Sequence, residues 1–449
     1  MKRFVFDNLI YRFSDQQYFL LNLTSFRRQI VSNETLAILL QVEENINQNI
    51  QLNDAEQQCY EMLLASKQIL NAEVDKCVYD ILSSKSLHRF NQFPVRALTF
   101  NLTHKCNFNC FYCYQNKYKN NPEFRGQMSI SDVKEIIGYI NRPEFDASDI
   151  KQIVISGGEP LLPGNIDTIN YICDNITAES KMMFTNGVNI LKYKEHVDYQ
   201  KIDEFQISLD GTDDVVNEVN CYSGDIALVL HGVAYLLQLK RKVSLVTMWS
   251  KPLENHLTEF IDMIKKTGFT HDPNFQMKII VAKDFYNCSN LDESIYSLEY
   301  IKECMSKYNA LLRREINCCI ELFAEAGLLF SLLHRPLNKV ISQRTKRCDI
   351  SRSIPMVFEP NGDVYWCLCM GNSTGRLGNY LSKEINIEKI KALGNRNIFT
   401  IEKCRSCKLK YICGGGCALG LIGRDSDIFE PVCSIFDNTY FWDYLEDFV

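Results

Sequence analysis

No apolar run in this chain is long enough to cross a bilayer, and its first residues, Met1-Lys2-Arg3-Phe4-Val5-Phe6-Asp7, lack the apolar core of an export signal. Both absences point to a cytoplasmic protein with no membrane partner. Positive charge is not in surplus either: 49 Lys and Arg stand against 55 Asp and Glu, a net charge of -6, which argues against broad affinity for nucleic acid. No tandem repeat is visible, and the seven histidines are dispersed without a pattern that would suggest histidine-based chemistry. At 449 residues, 46% apolar and 23% charged, the composition fits a globular protein of two or three domains.

What the chain has in excess is cysteine. Nineteen thiols in a sequence without an export signal are expected to stay reduced, so the surplus argues for metal rather than for disulfides. Cys59, Cys77, Cys173, Cys221, Cys288 and Cys304 stand apart and read as small hydrophobes. Others cluster. Cys106, Cys110 and Cys113 form a Cys-x3-Cys-x2-Cys array that offers three thiolates from one tight loop with no nearby fourth. A cubane iron–sulfur cluster takes four ligands, so such a loop leaves one iron open, as catalytic metal sites do. Zinc is the alternative for any cysteine cluster, but zinc sites usually build on Cys-x2-Cys pairs and a fourth ligand.

From about residue 96 the chain alternates short apolar runs with helical periods. The runs are 96–102, 152–155, 182–184, 205–209, 243–247 and 277–281, and Leu257, Phe260, Ile261 and Ile264 mark one intervening helix. The pattern predicts an α/β fold, a partial (β/α)6 TIM-like barrel over residues 93–288, with its site at the strand ends. Residues 1–92 have another texture. Strand-like runs over 2–24, a turn at Asn22-Leu23, an N-cap at Ser32-Asn33-Glu34-Thr35 and a second helix after Asn53-Asp54 predict a small α+β module. Residues 289–344 read as a helical bridge, and 345–449 as a cysteine-rich, loop-rich domain.

Three further motifs fall at strand ends. Ser156-Gly157-Gly158-Glu159-Pro160 follows the second strand, where two glycines let the backbone approach a ligand. Thr185-Asn186-Gly187 ends the third strand and Ser208-Leu209-Asp210-Gly211 the fourth, both well placed for ribose hydroxyls. With the cysteine loop, these motifs resemble the radical S-adenosylmethionine (SAM) enzymes along the whole barrel. The resemblance implies a [4Fe-4S] cluster on Cys106, Cys110 and Cys113, its open iron chelated by the amino and carboxylate groups of SAM. One electron passed to the sulfonium then releases a 5′-deoxyadenosyl radical. It further implies cofactor contacts from Tyr112, Gly157, Gly158, Glu159, Asn186, Ser208 and Asp210. One departure stands out: relatives often carry His-Asp-x-x-Arg soon after the fourth strand, whereas this chain has Asn217-Glu218-Val219-Asn220-Cys221. The SAM carboxylate must then find another partner. His104, beside the loop, reads as a supporting or surface residue.

In the tail, Cys348, Cys367 after Gly362, then Cys404-x2-Cys407-x5-Cys413-x3-Cys417 and Cys433 make seven ordered cysteines. A zinc ribbon over Cys404 to Cys417 is the competing reading. The whole pattern resembles the SPASM extension of radical SAM peptide maturases, which implies two auxiliary [4Fe-4S] clusters. By that resemblance Cys348, Cys367 and Cys417 share the nearer cluster, and Cys404, Cys407, Cys413 and Cys433 hold the farther one. The nearer cluster's fourth ligand is open, because position 342 is serine; Cys369, Cys318, Cys319 or a substrate thiolate are the alternatives. Asp363, Glu359 and Asp349 lie near these cysteines, and none is singled out as a base.

The N-terminal module resembles in pattern the winged-helix-like peptide-recognition element of ribosomal peptide biosynthesis, which pairs a leader peptide with an edge strand; a plain structural cap is the alternative. The expected activity is hydrogen abstraction from a precursor peptide to install a thioether or carbon–carbon crosslink, with flavodoxin or ferredoxin as electron donor. Formylglycine formation is disfavoured because Leu368 stands where a maturase of sulfatases has an aspartate. A non-catalytic iron–sulfur peptide binder is the third reading.

Overall fold

The computed structural model describes residues 4–70, 72–86, 92–113, 115, 126–281, 298–321, 345, 354–367, 375–416, 418, 429–431 and 433. At its N-terminal end, Phe4–Val5, Asn8–Ser14, Gln17–Asn22 and Arg28–Ser32 form an antiparallel meander in chain order, which leaves Phe4–Val5 and Arg28–Ser32 at the edges. The turn after the third strand is built by Asn22, whose side-chain oxygen accepts from the backbone N–H groups of Thr24 and Ser25 at 3.0 and 2.7 Å. Ser32 caps the helix Asn33–Asn47 by accepting from the Thr35 N–H, and Asn53 with Glu56 forms a capping box at the start of Asp54–Ala65. A third helix, Ala72–Ser86, was not foreseen from sequence. Its apolar residues are interrupted by Asp75, Lys76 and Asp80, which blurs the helical period. Leu20, Val31, Leu36, Leu39 and Leu63 close the module's own core.

The α/β expectation holds for the centre of the chain. Phe93–Asn101, Gln152–Ser156, Ser180–Thr185, Glu204–Ser208, Lys242–Trp249 and Phe275–Val281 lie side by side in chain order, every neighbouring pair parallel. Parallel strands covered on both faces need apolar residues in succession, and Ile153, Ile155, Phe205, Ile207 and Leu245 are fully buried. Ile130–Ile140, Ile166–Asn175, Ala227–Gln238 and Leu257–Thr267 cross between strands. The third crossover differs from the simple alternation: it runs through two 3-10 turns, Leu191–Tyr193 and Tyr199–Lys201, pinned by the Tyr199 hydroxyl on the Ile190 carbonyl at 3.0 Å.

The sheet does not stop at six strands. After the helix Leu298–Ile316, Ile320–Glu321 adds a short parallel strand beside the sixth. On the other side, Ile354–Phe358 from the tail pairs in parallel with the first barrel strand and leads into the antiparallel strands Asp363–Tyr365, Arg376–Asn379 and Glu384–Ile385. The tail also carries the N-terminal module. Phe26, Tyr79 and Leu82 pack on Ile398, Phe399, Ile401, Cys404 and Tyr411, and the Lys408 ammonium donates to the Phe6 carbonyl at 2.6 Å.

Phe399 meets Tyr79 edge-on, ring centroids 4.8 Å apart. Phe399→Ala should cost about 3 kcal/mol at this contact and should open residues 4–86 to protease while residues 93–281 stay protected. Limited proteolysis followed by mass spectrometry reads both.

Candidate cluster and cofactor site

The first barrel strand ends at Asn101, and the chain runs directly through Leu102-Thr103-His104-Lys105 into Cys106. This irregular stretch is held by the turn after the second strand. Leu102 donates its N–H to Ser156 O at 2.9 Å, Gly158 to Thr103 O at 2.6 Å, and Glu159 to Lys105 O at 2.9 Å. The approach is too close for side chains: a Cβ on Gly157 would lie 2.6 Å from Thr103 O, and one on Gly158 2.2 Å from Lys105 O. Gly157 also has a φ of +140°, open mainly to glycine. The sequence reading assigned this freedom to a ligand's approach. In the structure the backbone that comes close is the chain's own, just ahead of the cysteines.

Glu159 fastens the next strand. Fully buried, it accepts from Leu161 N and Thr185 Oγ1 through one oxygen, at 2.8 and 2.7 Å, and from Asn186 N through the other at 2.8 Å. Desolvation raises its carboxyl from the ordinary 4.5 to about 7 against those three donors. Asn186, thus fixed, donates to Asn107 Oδ1 at 2.7 Å and lies 4.0 Å from the Cys106 sulfur. Within the loop, Phe108 N donates to Cys106 Sγ at 3.3 Å.

On the far side of the loop a second network meets it. Asp210, entirely buried, accepts from Met248 N at 2.8 Å, from Asn220 Nδ2 at 2.6 Å and from the Tyr112 hydroxyl. The same Asn220 amide lies 3.0 Å from Cys110 Sγ. Burial, then the nearby Asp210 carboxyl, pushes the Cys110 thiol up to about 12. A thiol held so high would need a strong Lewis acid to ionise it, and the iron of a cluster bound there would supply one. Ser208, at the end of the fourth strand, is exposed.

A third attachment comes from the tail. Glu359, one residue beyond the strand Ile354–Phe358, accepts from Asn101 Nδ2 at 2.5 Å and pairs with His104 Nε2 at 2.9 Å, both partners of the pair about 6% exposed. His104 is therefore an internal group rather than a surface one. Asp363 is occupied by Arg376, at 2.7 Å, and by Asn379, at 3.1 Å; Asp349 lies outside the described residues.

Of the tail cysteines, Cys404 and Cys413 have their thiols pushed up by burial and then by one another or the nearby Cys407 and Cys433, which places the four sulfurs in one neighbourhood. Cys367 is half-buried against the barrel core. Cys318 donates to the Met277 carbonyl at 3.5 Å and Cys319 is half-buried, while Cys348, Cys369 and Cys417 lie outside the described residues. Among the described residues no three His, Cys, Asp or Glu converge on a point that one metal ion would fill. A cubane takes its thiolates at separate irons, so the grouped and N–H-solvated sulfurs of both loops fit that donor set.

Residues 100–265 match the radical SAM superfamily. This part of the chain is a radical SAM domain. The radical SAM family implies a [4Fe-4S] cluster and SAM, and the loop of Cys106, Cys110 and Cys113 lies within the matched span. A probable GTP 3′,8-cyclase of Methanococcus maripaludis is 29% identical over 177 residues, 39% of this chain and 57% of that protein. The GTP 3′,8-cyclase of Staphylococcus saprophyticus is 23% identical over 204 residues, 45% of this chain and 58% of that one. The chain thus spans little more than half the length of these curated relatives. In fold, it is similar to Streptococcus suis SuiB bound to S-adenosylmethionine, with a TM-score of 0.54 at 17% identity over 95% of this chain and 98% of that one. Native anSMEcpe with bound AdoMet gives 0.52 at 17%, over 78% and 96%. No helix among the described residues is long and apolar enough to cross a membrane.

Two groups beside the cysteine loop have no distinctive sequence signal: Asn220, whose amide reaches Cys110, and Glu359, whose carboxylate reaches Asn101 and His104.

Glu159 makes stability depend on pH. Its folded-state value lies above 4.5, so folding takes up a proton between pH 4.5 and about 7. That contribution is complete below the window and is lost as pH rises through it. Glu159→Gln, with no proton to lose, should flatten the decline; urea midpoints of both proteins from about pH 5 to about pH 8 decide, and equal slopes would acquit Glu159.

Proposed function

We propose that this protein is a radical SAM/SPASM peptide maturase, which abstracts hydrogen from a ribosomally made precursor peptide and installs a thioether or carbon–carbon crosslink. The observation that carries the chemistry is the three-thiol loop, pinned at the barrel mouth with N–H donors already aimed at its sulfurs. When bound, the cluster and SAM supply reductive cleavage of a carbon–sulfur bond to give a 5′-deoxyadenosyl radical. Cys106, Cys110 and Cys113 hold the cluster; Gly157, Gly158, Asn186, Ser208 and the backbone of Tyr112 border the space for SAM. Glu159 and Asp210 act on that space through their neighbours, because their oxygens are spent on Leu161, Thr185 and Asn186, and on Tyr112, Asn220 and Met248.

Substrate class rests on the two ends of the chain. The N-terminal meander offers the edge strand Arg28–Ser32, which suits addition of an extended leader segment, and it is docked on the tail rather than floating. SuiB, whose fold the chain shares over 96% of its length, is known bound to its precursor peptide SuiA. In the tail, Cys404, Cys407, Cys413 and Cys433 hold one auxiliary [4Fe-4S] cluster; Cys348, Cys367 and Cys417 hold the other. Clusters held there would supply an acceptor for the electron left on the substrate, and flavodoxin or ferredoxin would supply the one that starts the cycle. The setting is cytoplasmic.

Anaerobic, reconstituted protein should carry about twelve irons, four per cluster, and should form 5′-deoxyadenosine from SAM and dithionite. Replacing Cys106, Cys110 and Cys113 with alanine should abolish that product, and a triple variant that still forms it would reject the assignment. Iron saturating near four would remove the tail clusters from the reading.

A further inference from the structure

The helix Asp213–Asn220 ends against the cysteine loop, and the manner of its ending is informative. Cys221 follows with φ +49°, in the left-handed region, which stops the helix abruptly. The last carbonyls of a helix have no partner within it. Here the loop supplies partners: Asn109 N donates to Asn220 O at 2.8 Å and Phe111 N to Val219 O at 3.2 Å. The two N–H groups that flank Cys110 are thereby spent on the helix end, and the Cys110 sulfur is turned toward the Asn220 side chain. That side chain is 2% exposed. Its Nδ2 lies 2.6 Å from Asp210 Oδ2, 3.0 Å from Cys110 Sγ and 3.3 Å from the Tyr112 hydroxyl oxygen. Asp210 already receives the hydroxyl proton of Tyr112 and the N–H of Met248, so it faces Asn220 as an acceptor. This fixes the amide with nitrogen toward the carboxylate, and its second N–H has the Cys110 sulfur at 3.0 Å as its nearer acceptor, ahead of the Tyr112 oxygen at 3.3 Å.

We propose that Asn220 is a positioning residue for the barrel cluster: it holds Cys110 in place and donates an N–H to its sulfur, which sets the cluster's reduction potential. The inference rests on the reading that Cys106, Cys110 and Cys113 carry a [4Fe-4S] cluster. Hydrogen bonds to ligand sulfur favour the reduced, more negative cluster and so raise its potential. Asp210 works in the opposite direction, and the amide stands between it and the sulfur.

The test is an EPR-monitored redox titration of the full-length holoprotein, following the signal that SAM perturbs, in wild type, Asn220→Asp and Asn220→Ala. Loss of the donor should shift the reduction equilibrium toward the oxidised cluster at least tenfold, which for one electron is 59 mV more negative. Asn220→Asp should shift furthest, because it also sets a second carboxylate beside Asp210. In wild type alone, asparagine labelled with 15N at the side chain should give a hyperfine coupling to the reduced cluster, a readout that needs no variant to fold. Midpoints unchanged in both variants, or no 15N coupling in wild type, would overturn the role of Asn220. A melting temperature lowered at constant potential would leave it a packing residue only and would equally overturn it. Wild type with no SAM-responsive signal would instead remove the cluster reading, and this inference with it.

Discussion

A loop that offers three thiols to a cluster cannot make itself rigid, because none of residues 102–113 lies in a helix or strand. Its shape is imposed from outside, and the tightest constraint is the apposition of Gly157-Gly158-Glu159 against Thr103-His104-Lys105. Two backbones that hydrogen-bond at 2.6 and 2.9 Å leave no space for a Cβ between them. The glycines matter first as the condition for that contact. Once it is made, Glu159 is carried into the interior, and its three acceptor bonds bring the third strand's end, through Asn186, to the same loop. A ligand site forms around a fixed wall rather than around a mobile turn.

The cost of such a wall is buried polar groups. Glu159, Asp210, His104 and Glu359 are all removed from water, where a polar group is stabilised by the directional bonds it makes. Each of these groups joins elements far apart in sequence: Glu159 links the second and third strands, Asp210 the fourth and fifth with Tyr112, and Glu359 the tail with the first strand. Hydrophobic burial fixes the sheet but tolerates small shifts of its loops. Directional bonds in a dry setting do not, and the chain places them at the strand ends, where a cofactor needs ångström-level placement.

How much of this was legible in the sequence follows the same division. The six parallel strands were, because buried parallel strands show as apolar runs whatever lies around them, and the caps at Ser32 and Asn53 were, because capping is local. The cysteine loop and the Gly-Gly turn were also readable, since their residue types are rare and their spacing is tight. The helix Ala72–Ser86 escaped because its buried face is completed by Phe399 and Tyr411, more than three hundred residues later in the chain. Asn220 and Glu359 escaped for a related reason. An asparagine at a helix end and a glutamate before a Pro-Asn-Gly turn have strong local explanations, and only the folded chain shows that their side chains point at Cys110 and His104. Cys318 was a reasonable candidate ligand by residue type, yet its sulfur is already turned to the Met277 carbonyl.

The tail's strand clarifies why distant parts of this chain belong to one device. Ile354–Phe358 pairs with the first barrel strand from Ile354 opposite Val95 to Phe358 opposite Phe100, and Glu359 follows at once with its bonds to Asn101 and His104. Any displacement of that strand along its neighbour would break the buried contact of Glu359 with His104, two residues ahead of Cys106. The N-terminal module in turn rests on the tail through Phe26, Tyr79 and Leu82, around Cys404. The module and the cysteine loop are thus both fastened to the tail, the first through those side chains and the second through Glu359. A peptide captured at one end would be presented by a frame whose other end is the same first strand that launches Cys106.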